Sequence, residues 1–304
     1  MTEPARTTRT PRLGDLLDPG FMARLDRLDV LSRKILQGKM KGERRSKRRG
    51  QSVEFADHRP YVAGDDVRFL DWNIFGRLDQ LFLKLFLEEQ DLSLHIVIDS
   101  SGSTAVGDPP KHLAMKRMAA ALAYVGLVNN NRVSLGTFAD GVAGRMINMR
   151  GRRYLNPMAE FLLAAQPEGV SHFDKACKGW TGGRLGSGVT VVLSDFFFKE
   201  GYESGLKRLV SDRYDLCVIQ VLSPQERVPD LAGDLRLVDV EDADVSEVTV
   251  SRALVEQYKR NLAAYCSDLR EFCVRRGATY LLTDSAQPVD RLVLQQLRRQ
   301  RLIG

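Results

Sequence analysis

Three short stretches of the 304-residue sequence place oxygen-bearing side chains next to predicted elements of secondary structure. The first, Asp99-Ser100-Ser101-Gly102-Ser103, ends and follows LSLHIVID, a β-branched run typical of a strand covered on both faces. The second stretch, Ser194-Asp195, ends the apolar run VTVVLSD. The third contains the hydroxyl of Ser171 and lies at the start of a predicted helix. Ligands of open α/β sheets bind beyond the carboxyl ends of the strands, so these groups form a candidate site.

The chemistry of this candidate site is that of oxygen ligands, with no sulfur or imidazole required. Oxygen ligands suit a hard divalent cation, and few protein charges with water filling the remaining positions favour Mg²⁺, with Mn²⁺ or Ca²⁺ as alternatives. Because hydroxyls are neutral, the ion would keep enough positive charge to accept one further ligand, such as a carboxylate of a partner. We predict a metal site formed by Asp99, Ser101, Ser103, Ser171 and Asp195, and the sequence leaves its occupancy open.

The D-x-S-x-S pattern after a strand, with a later strand ending in Asp195, resembles the metal-ion-dependent adhesion site of von Willebrand factor A domains. Those domains usually carry Thr where this chain has Ser171, so the third position keeps a hydroxyl but departs from the pattern. Asp174 is an alternative ligand there, or a helix cap.

The segment before the first strand carries a second resemblance. Its sequence, EFADHRPYVAGDDVRFLDWNIFGRLDQLFLKLFLEEQD, and the upstream GERRSKRRG resemble the bacterial family called domain of unknown function 58. The residues that match are Glu54, Phe55, Arg59, Tyr61, Gly64, Asp65, Asp66, Arg68, Asp71, Trp72, Arg77, Lys84, Glu88 and Glu89.

This resemblance implies a von Willebrand A-like protein that acts as an adaptor or chaperone-like partner of a MoxR-type AAA+ ATPase in complex assembly. Membrane-bound von Willebrand A proteins are a further implied partner. No enzymatic activity, catalytic residue or small-molecule substrate is implied. Many members carry membrane helices, whereas this chain resembles the shorter type without them.

Alternating arginines and aspartates within the segment allow two interpretations. Arginine forms bidentate pairs with carboxylates, so they are either an ion-pair network that fixes the segment against the sheet, with Trp72 as a packing anchor, or a docking surface for the ATPase. The docking surface would consist of Arg59, Asp65, Arg68, Asp71 and Trp72.

After the first core strand, predicted strands and helices alternate with the spacing of βαβ units. We therefore predict an α/β fold with a doubly wound, mostly parallel, von Willebrand A-like (Rossmann-like) sheet. The predicted domains are a flexible tail at 1–20, the family segment at 21–90, which begins with an amphipathic helix and packs on the sheet, and the von Willebrand A-like domain at 91–304. A hairpin insertion is predicted at about 224–250, and a long helix at 252–275.

Composition and charge bear on two further questions, nucleic-acid binding and cellular location. The net charge is +6, but residues 1–50 carry fourteen Lys or Arg against six Asp or Glu, so the rest of the chain is slightly acidic. Because the basic run at 39–51 has no interleaved aromatic residues, we do not expect nucleic-acid binding, although it stays an alternative. No secretory signal, long apolar span or CxxC is present, which predicts a cytoplasmic protein.

Enzymatic function is the other alternative. A metal-dependent hydrolase acting on a phosphate ester would use the same oxygen ligands, but it needs a general base or a second metal near Asp99. The sequence offers no candidate for that base beyond Asp195, and it contains no HExxH, GxSxG or P-loop motif.

Overall fold

A computed structural model describes residues 12–32, 54–63, 65–87, 92–181, 188–210, 214–300 and 302–304. The basic run at 39–51, Gly64, Glu88, Glu89 and the first half of the predicted tail lie outside these residues. The chain forms two compact units, one of residues 1–37 with 92–304 and one of residues 38–91.

The strands and helices have the following bounds. The strands are β1 (Glu54–Pro60), β2 (Phe82–Leu87), β3 (Ser93–Asp99), β4 (Arg132–Ala139), β5 (Gly141–Met149), β6 (Gly188–Ser194), β7 (Tyr214–Leu222), β8 (Gly233–Val238), β9 (Val245–Val250) and β10 (Thr279–Asp284). The α-helices are α1 (Pro19–Leu25), α2 (Trp72–Leu78), α3 (Lys111–Val128), α4 (Leu155–Ala164), α5 (Phe173–Thr181), α6 (Glu203–Leu209), α7 (Pro224–Arg227), α8 (Arg252–Arg275) and α9 (Val289–Arg291), which continues as a π-helix over Leu292–Leu297. Short 3-10 helices span Leu13–Asp15, Val67–Phe69, Gly102–Ala105 and Arg152–Tyr154.

The larger unit is built on a six-stranded sheet in the order β10-β7-β6-β3-β4-β5. Every neighbouring pair is parallel except β4 and β5, which are antiparallel. From β3 the chain moves to β4 on one side and later returns to place β6 on the other, so the strand order reverses between β3 and β6. This topology confirms the predicted doubly wound, mostly parallel α/β fold, and it opens a crevice at the carboxyl ends of those two strands.

Successive side chains of a β-strand point to opposite faces of the sheet, so alternate residues of the central strands pack against different layers of helices. In β3, Ile96 and Ile98 belong to a core that also contains residues of α3, α4 and the C-terminal helix, whereas Val97 belongs to a second core with residues of α5, α6 and α8. Burial on both faces explains why these strands read as continuous apolar runs.

The segment before residue 33 packs into the larger unit. The sequence predicts a flexible tail at 1–20, but Leu13, Leu16 and Leu17 are buried in the first core. Helix α1 is shorter than the amphipathic helix predicted there, and Asp18 caps it by accepting a hydrogen bond from Phe21 N. The leucines of this segment lie in short helical turns, and these are too short to produce a recognisable helical period in the sequence.

Gly136 in β4 provides a test of the packing between the sheet and α5. A Cβ placed on Gly136 would lie 2.3 Å from Cζ3 of the buried Trp180. We expect Gly136→Ala to lower the free energy of unfolding by about 1–3 kcal/mol, because overpacking forces the indole from its position. The measurement is urea unfolding, with Gly14→Ala as the control, since a Cβ on Gly14 meets nothing within 4 Å. Equal stability of both variants would contradict the prediction.

The predicted hairpin and long helix are both present. Strands β8 and β9 pair antiparallel in a separate two-stranded sheet, and α8 has the predicted bounds. Within the part of the chain that the structure describes, no helix combines the length and apolar character needed to cross a bilayer.

Candidate functional site

Asp99 lies at the carboxyl end of β3, where its buried carboxylate is held by three hydroxyl and amide donors. Oδ1 accepts hydrogen bonds from the Ser101 backbone N–H (2.9 Å) and the Ser101 hydroxyl (2.7 Å), and Oδ2 accepts one from the Ser194 hydroxyl (2.7 Å). Ser101 Oγ lies 3.1 Å from Ser103 Oγ. The strand-end geometry therefore brings Asp99, Ser101 and Ser103 together, as the sequence predicts.

Ser171 reaches the same loop through backbone pairing. Gly102 N donates to Gly169 O at 2.9 Å, and Glu168 N donates to Ser100 O at 2.8 Å. These bonds fix the loop before α5 beside the loop after β3. The Ser171 hydroxyl oxygen is buried and has no hydrogen-bond partner among the described residues, so it is free to bind a ligand at this edge of the sheet.

Asp195 follows β6 directly and is paired with a buried lysine. Lys111 Nζ lies 2.6 Å from Asp195 Oδ2 and also contacts Glu226. Lys111 is 1% exposed and Asp195 2% exposed, so this ion pair is fully removed from solvent. Phe197 N donates to Asp195 Oδ1 at 3.1 Å and holds the second carboxylate oxygen.

Burial and neighbouring charges shift the pKa values of Asp99 and Lys111. Burial, together with the charge of Asp195, raises the pKa of Asp99 to about 7, although the bonds from Ser194 and Ser101 oppose the rise. For Lys111, burial alone would lower the pKa, but the carboxylates of Asp195 and Glu226 outweigh it and raise the pKa above its ordinary value. The site thus disfavours the ionised form of Asp99, and a cation beside it would favour that form.

These residues fit a hard divalent cation. Neighbouring hydroxyls, a buried carboxylate and the partnerless Ser171 hydroxyl are the donors that such an ion uses. Because Asp195 is already engaged by Lys111, the direct candidates are Asp99, Ser101, Ser103 and Ser171. Within the described ranges no three His, Cys, Asp or Glu side chains form a metal-binding group, so a cation here would depend on the hydroxyls.

Two residues of the site were missed by sequence reasoning: Lys111 and Glu226. Ser194 was recognised beside Asp195 at the end of an apolar strand, although it was not predicted as a ligand. Lys111 and Glu226 carried no signal, because a lone Lys at a helix start and a Glu in a short helix are usually exposed to solvent.

The predicted docking residues lie in the smaller unit, where β1 and β2 form an antiparallel pair. Arg59 makes a bidentate pair with Asp65 (Nη1–Oδ2 2.8 Å, Nη2–Oδ1 2.7 Å), and Arg68 pairs with Asp66. Asp71 caps α2 by accepting from Asn73 N and also contacts His58. The predicted arginine–carboxylate pairs are therefore formed within this unit.

Trp72 does not act as the packing anchor that one interpretation assigned to it. Its side chain is 63% exposed and makes an edge contact with Phe75, with ring centroids 6.1 Å apart. Phe69, Phe75, Val67 and Leu78 are also exposed, so α2 and the turn before it present a cluster of apolar side chains. Exposed apolar patches of this kind often mark interaction sites.

Comparison with known proteins places the chain among relatives of uncharacterized activity. A sequence profile described as "Protein of unknown function DUF58" matches residues 57–287. The chain is 28% identical over 276 residues to the uncharacterized protein Rv1480 of Mycobacterium tuberculosis, a match that covers 88% of this chain and 86% of the relative. The uncharacterized protein Mb1516 of Mycobacterium bovis matches to the same extent.

Solved structures with a similar fold have low sequence identity to this chain. The conserved hypothetical protein BatB from Bacteroides thetaiotaomicron is 14% identical, with a TM-score of 0.42 over 68% of this chain and 98% of that protein. A von Willebrand factor type A protein from Catenulispora acidiphila is 11% identical, with a TM-score of 0.41 over 73% of this chain and 43% of the other.

Proposed function

Because the chain belongs to the family described as protein of unknown function DUF58, we propose that it is a non-enzymatic interaction module with a Mg²⁺ site of the adhesion type. In this proposal the module works with a MoxR-type AAA+ ATPase in chaperone-like assembly of complexes, and membrane-bound von Willebrand A proteins are a further partner. The ion, when bound, supplies an open coordination position for a carboxylate of the partner. The chain's own residues hold and orient that position.

The observation that carries this proposal is the convergence of oxygen donors at the reversal of strand order. Ser101 contacts both Asp99 and Ser103 at the end of β3, and the buried Ser171 hydroxyl in the adjacent loop has no hydrogen-bond partner among the described residues. A buried hydroxyl without a partner is unfavourable. A Mg²⁺ ion held by these oxygens would give it one.

The ion pair of Asp195 favours the interaction module over the hydrolase. The hydrolase alternative needs a general base or a second metal near Asp99, and Asp195 was the candidate base. Its Oδ2 is held by the buried Lys111 at 2.6 Å, and its Oδ1 accepts a hydrogen bond from Phe197 N, so both oxygens are already engaged by the chain. Asp195 is therefore better suited to a structural role than to proton transfer.

The direct test is binding of the purified MoxR-type ATPase, measured by biolayer interferometry in Mg²⁺ and in EDTA. We expect binding in Mg²⁺ and its loss in EDTA. Equal binding in both buffers would overturn the metal-bridged interaction, and strongly salt-dependent binding to arbitrary DNA would favour the nucleic-acid alternative instead.

Trp72 tests the proposed contribution of the smaller unit. We expect Trp72→Ala to weaken binding of the ATPase by about 30-fold, since exposed tryptophans that become buried in an interface dominate its energy. The melting temperature should stay unchanged because the side chain is 63% exposed in the free chain. Val274→Ala, which trims a 61% exposed apolar side chain of α8, is the matched control and should bind normally. Normal binding by Trp72→Ala would remove the exposed apolar cluster from the interface.

A further inference from the structure

The turn between β8 and β9 lies against the candidate metal site. Ser171 N donates a hydrogen bond to Glu241 Oε2 at 3.2 Å. A Cβ placed on Gly102 would lie 3.4 Å from the Val240 carbonyl oxygen and 3.6 Å from Val240 Cγ1. The turn therefore contacts both the loop after β3 and the loop that carries Ser171.

A lysine from a third loop of the site holds this turn. Lys199, which follows Asp195 in the loop after β6, lies 3.0 Å from Asp239 Oδ2 and also contacts Asp242. Asp239 in turn shapes the turn, because its Oδ1 accepts from Glu241 N at 2.8 Å. These contacts orient the backbone of Glu241 toward the site.

Little else in the described structure supports the hairpin. Strands β8 and β9 pair with each other in their own two-stranded sheet, and most of their side chains are exposed. A two-stranded ribbon is at best marginally stable by itself. Its position over the site should therefore depend on the contacts of Lys199 and Glu241, and it can be displaced at modest cost.

Glu241 differs from the other acidic residues around the site. Cationic side chains already engage Asp239, Asp242 and Glu226, and His172 lies 2.9 Å from Glu200. In the described part of the chain, the one hydrogen bond to the Glu241 carboxylate comes from the Ser171 backbone, and no basic side chain pairs with it. The Glu241 carboxylate therefore lies beside the Ser171 backbone with no basic side chain of the described residues to neutralise it, and it is available to a cation held in that loop.

We propose that Glu241 is an internal ligand of the site: its carboxylate completes the coordination of the bound cation until a partner's carboxylate displaces it together with the hairpin. This inference rests on the proposed function, since it requires a cation at Asp99, Ser101, Ser103 and Ser171. A tethered carboxylate acts at an effective concentration of about millimolar, so a partner must add other contacts in order to compete.

The test compares Glu241→Gln with Glu247→Gln, a control on β9 of the same hairpin. Mn²⁺ affinity is measured by isothermal titration calorimetry, and hydrogen exchange of residues 165–173 and 233–250 by mass spectrometry with and without Mn²⁺. We expect Glu241→Gln to bind Mn²⁺ about 10-fold more weakly, as for loss of a supporting ligand. Metal should slow exchange of both segments in the parent protein and in Glu247→Gln, but not in Glu241→Gln.

Binding of the MoxR-type ATPase provides the second readout. In saturating Mg²⁺ we expect Glu241→Gln and Lys199→Met to bind the ATPase about 10-fold more tightly, because the competing ligand or its tether is gone. If the parent chain binds Mn²⁺ but Glu241→Gln matches it in affinity, exchange and ATPase binding, the internal ligand is wrong while the proposed function stands. If the parent chain binds no Mn²⁺, the proposed function fails and the internal ligand with it.

Discussion

Replacement of Lys111 by methionine is expected to lower the free energy of unfolding by about 3–5 kcal/mol, measured by urea denaturation near neutral pH. Lys111 is 1% exposed and its ammonium lies 2.6 Å from Asp195, which is 2% exposed. Methionine fills much of the same volume but leaves the carboxylate of Asp195 buried without a counter-charge. Removal of one member of a buried pair costs far more than the pair contributes in total, because the remaining charge cannot be solvated.

Two further variants make this result interpretable. Lys175→Met removes an ammonium that lies 2.8 Å from Asp140, but both side chains are more than 60% exposed, so we expect a change within about 0.5 kcal/mol. Adding Asp195→Asn to Lys111→Met removes the unpaired charge and should recover at least half of the lost stability. A loss below about 1 kcal/mol for Lys111→Met would show that the ammonium is not buried against Asp195.

The second large effect is expected at Asp99. We expect Asp99→Asn to weaken Mg²⁺ binding by at least about 100-fold in calorimetric titration, since in the proposed site it removes the charge of a ligand rather than of a supporting residue. The amide can keep the local structure, because its oxygen still accepts from Ser101 and the Ser194 hydroxyl can accept from its nitrogen. Binding of the MoxR-type ATPase should be lost in parallel.

In metal-free buffer the same variant is expected to be more stable than the parent chain. Folding raises the pKa of Asp99 from 3.8 to about 7, so the folded protein loses stability as the pH rises through that window and the buried group ionises. Asparagine does not ionise. Above pH 7 in EDTA, the melting temperature of Asp99→Asn should therefore be at least about 3 °C higher than that of the parent chain. Added Mg²⁺ should stabilise the parent chain and leave Asp99→Asn unchanged.

Each half of this prediction has an outcome that contradicts it. Equal Mg²⁺ affinity of Asp99→Asn and the parent chain would remove Asp99 from the metal site. Retention of ATPase binding by Asp99→Asn, with binding also unaffected by EDTA, would show that the partner does not reach the chain through a metal. A lower melting temperature of the variant in EDTA would mean that its hydrogen bonds to Ser101 and Ser194 outweigh the charge.

Much of the fold follows from local sequence pattern. Continuous apolar runs identified the central strands, because strands buried on both faces carry apolar residues at every position, and two polar strands around a turn at 235–250 identified a hairpin. The segment before residue 33 shows the limit of this approach. Leu13, Leu16 and Leu17 are buried without forming a long periodic element, so the local pattern predicts a tail where the structure has part of the core.

The sequence by itself determined where the candidate oxygen ligands stand: a strand must end at Asp99 and another near Asp195, and parallel neighbours bring such ends to one edge of the sheet. Only the tertiary structure decided what surrounds them. Lys111 meets Asp195 across 84 residues of sequence, and Glu241 meets Ser171 across 70. Such contacts depend on helix placement and loop paths, which arise from packing of the whole chain, and neither Lys nor Glu carries a local signal of burial or of its partner.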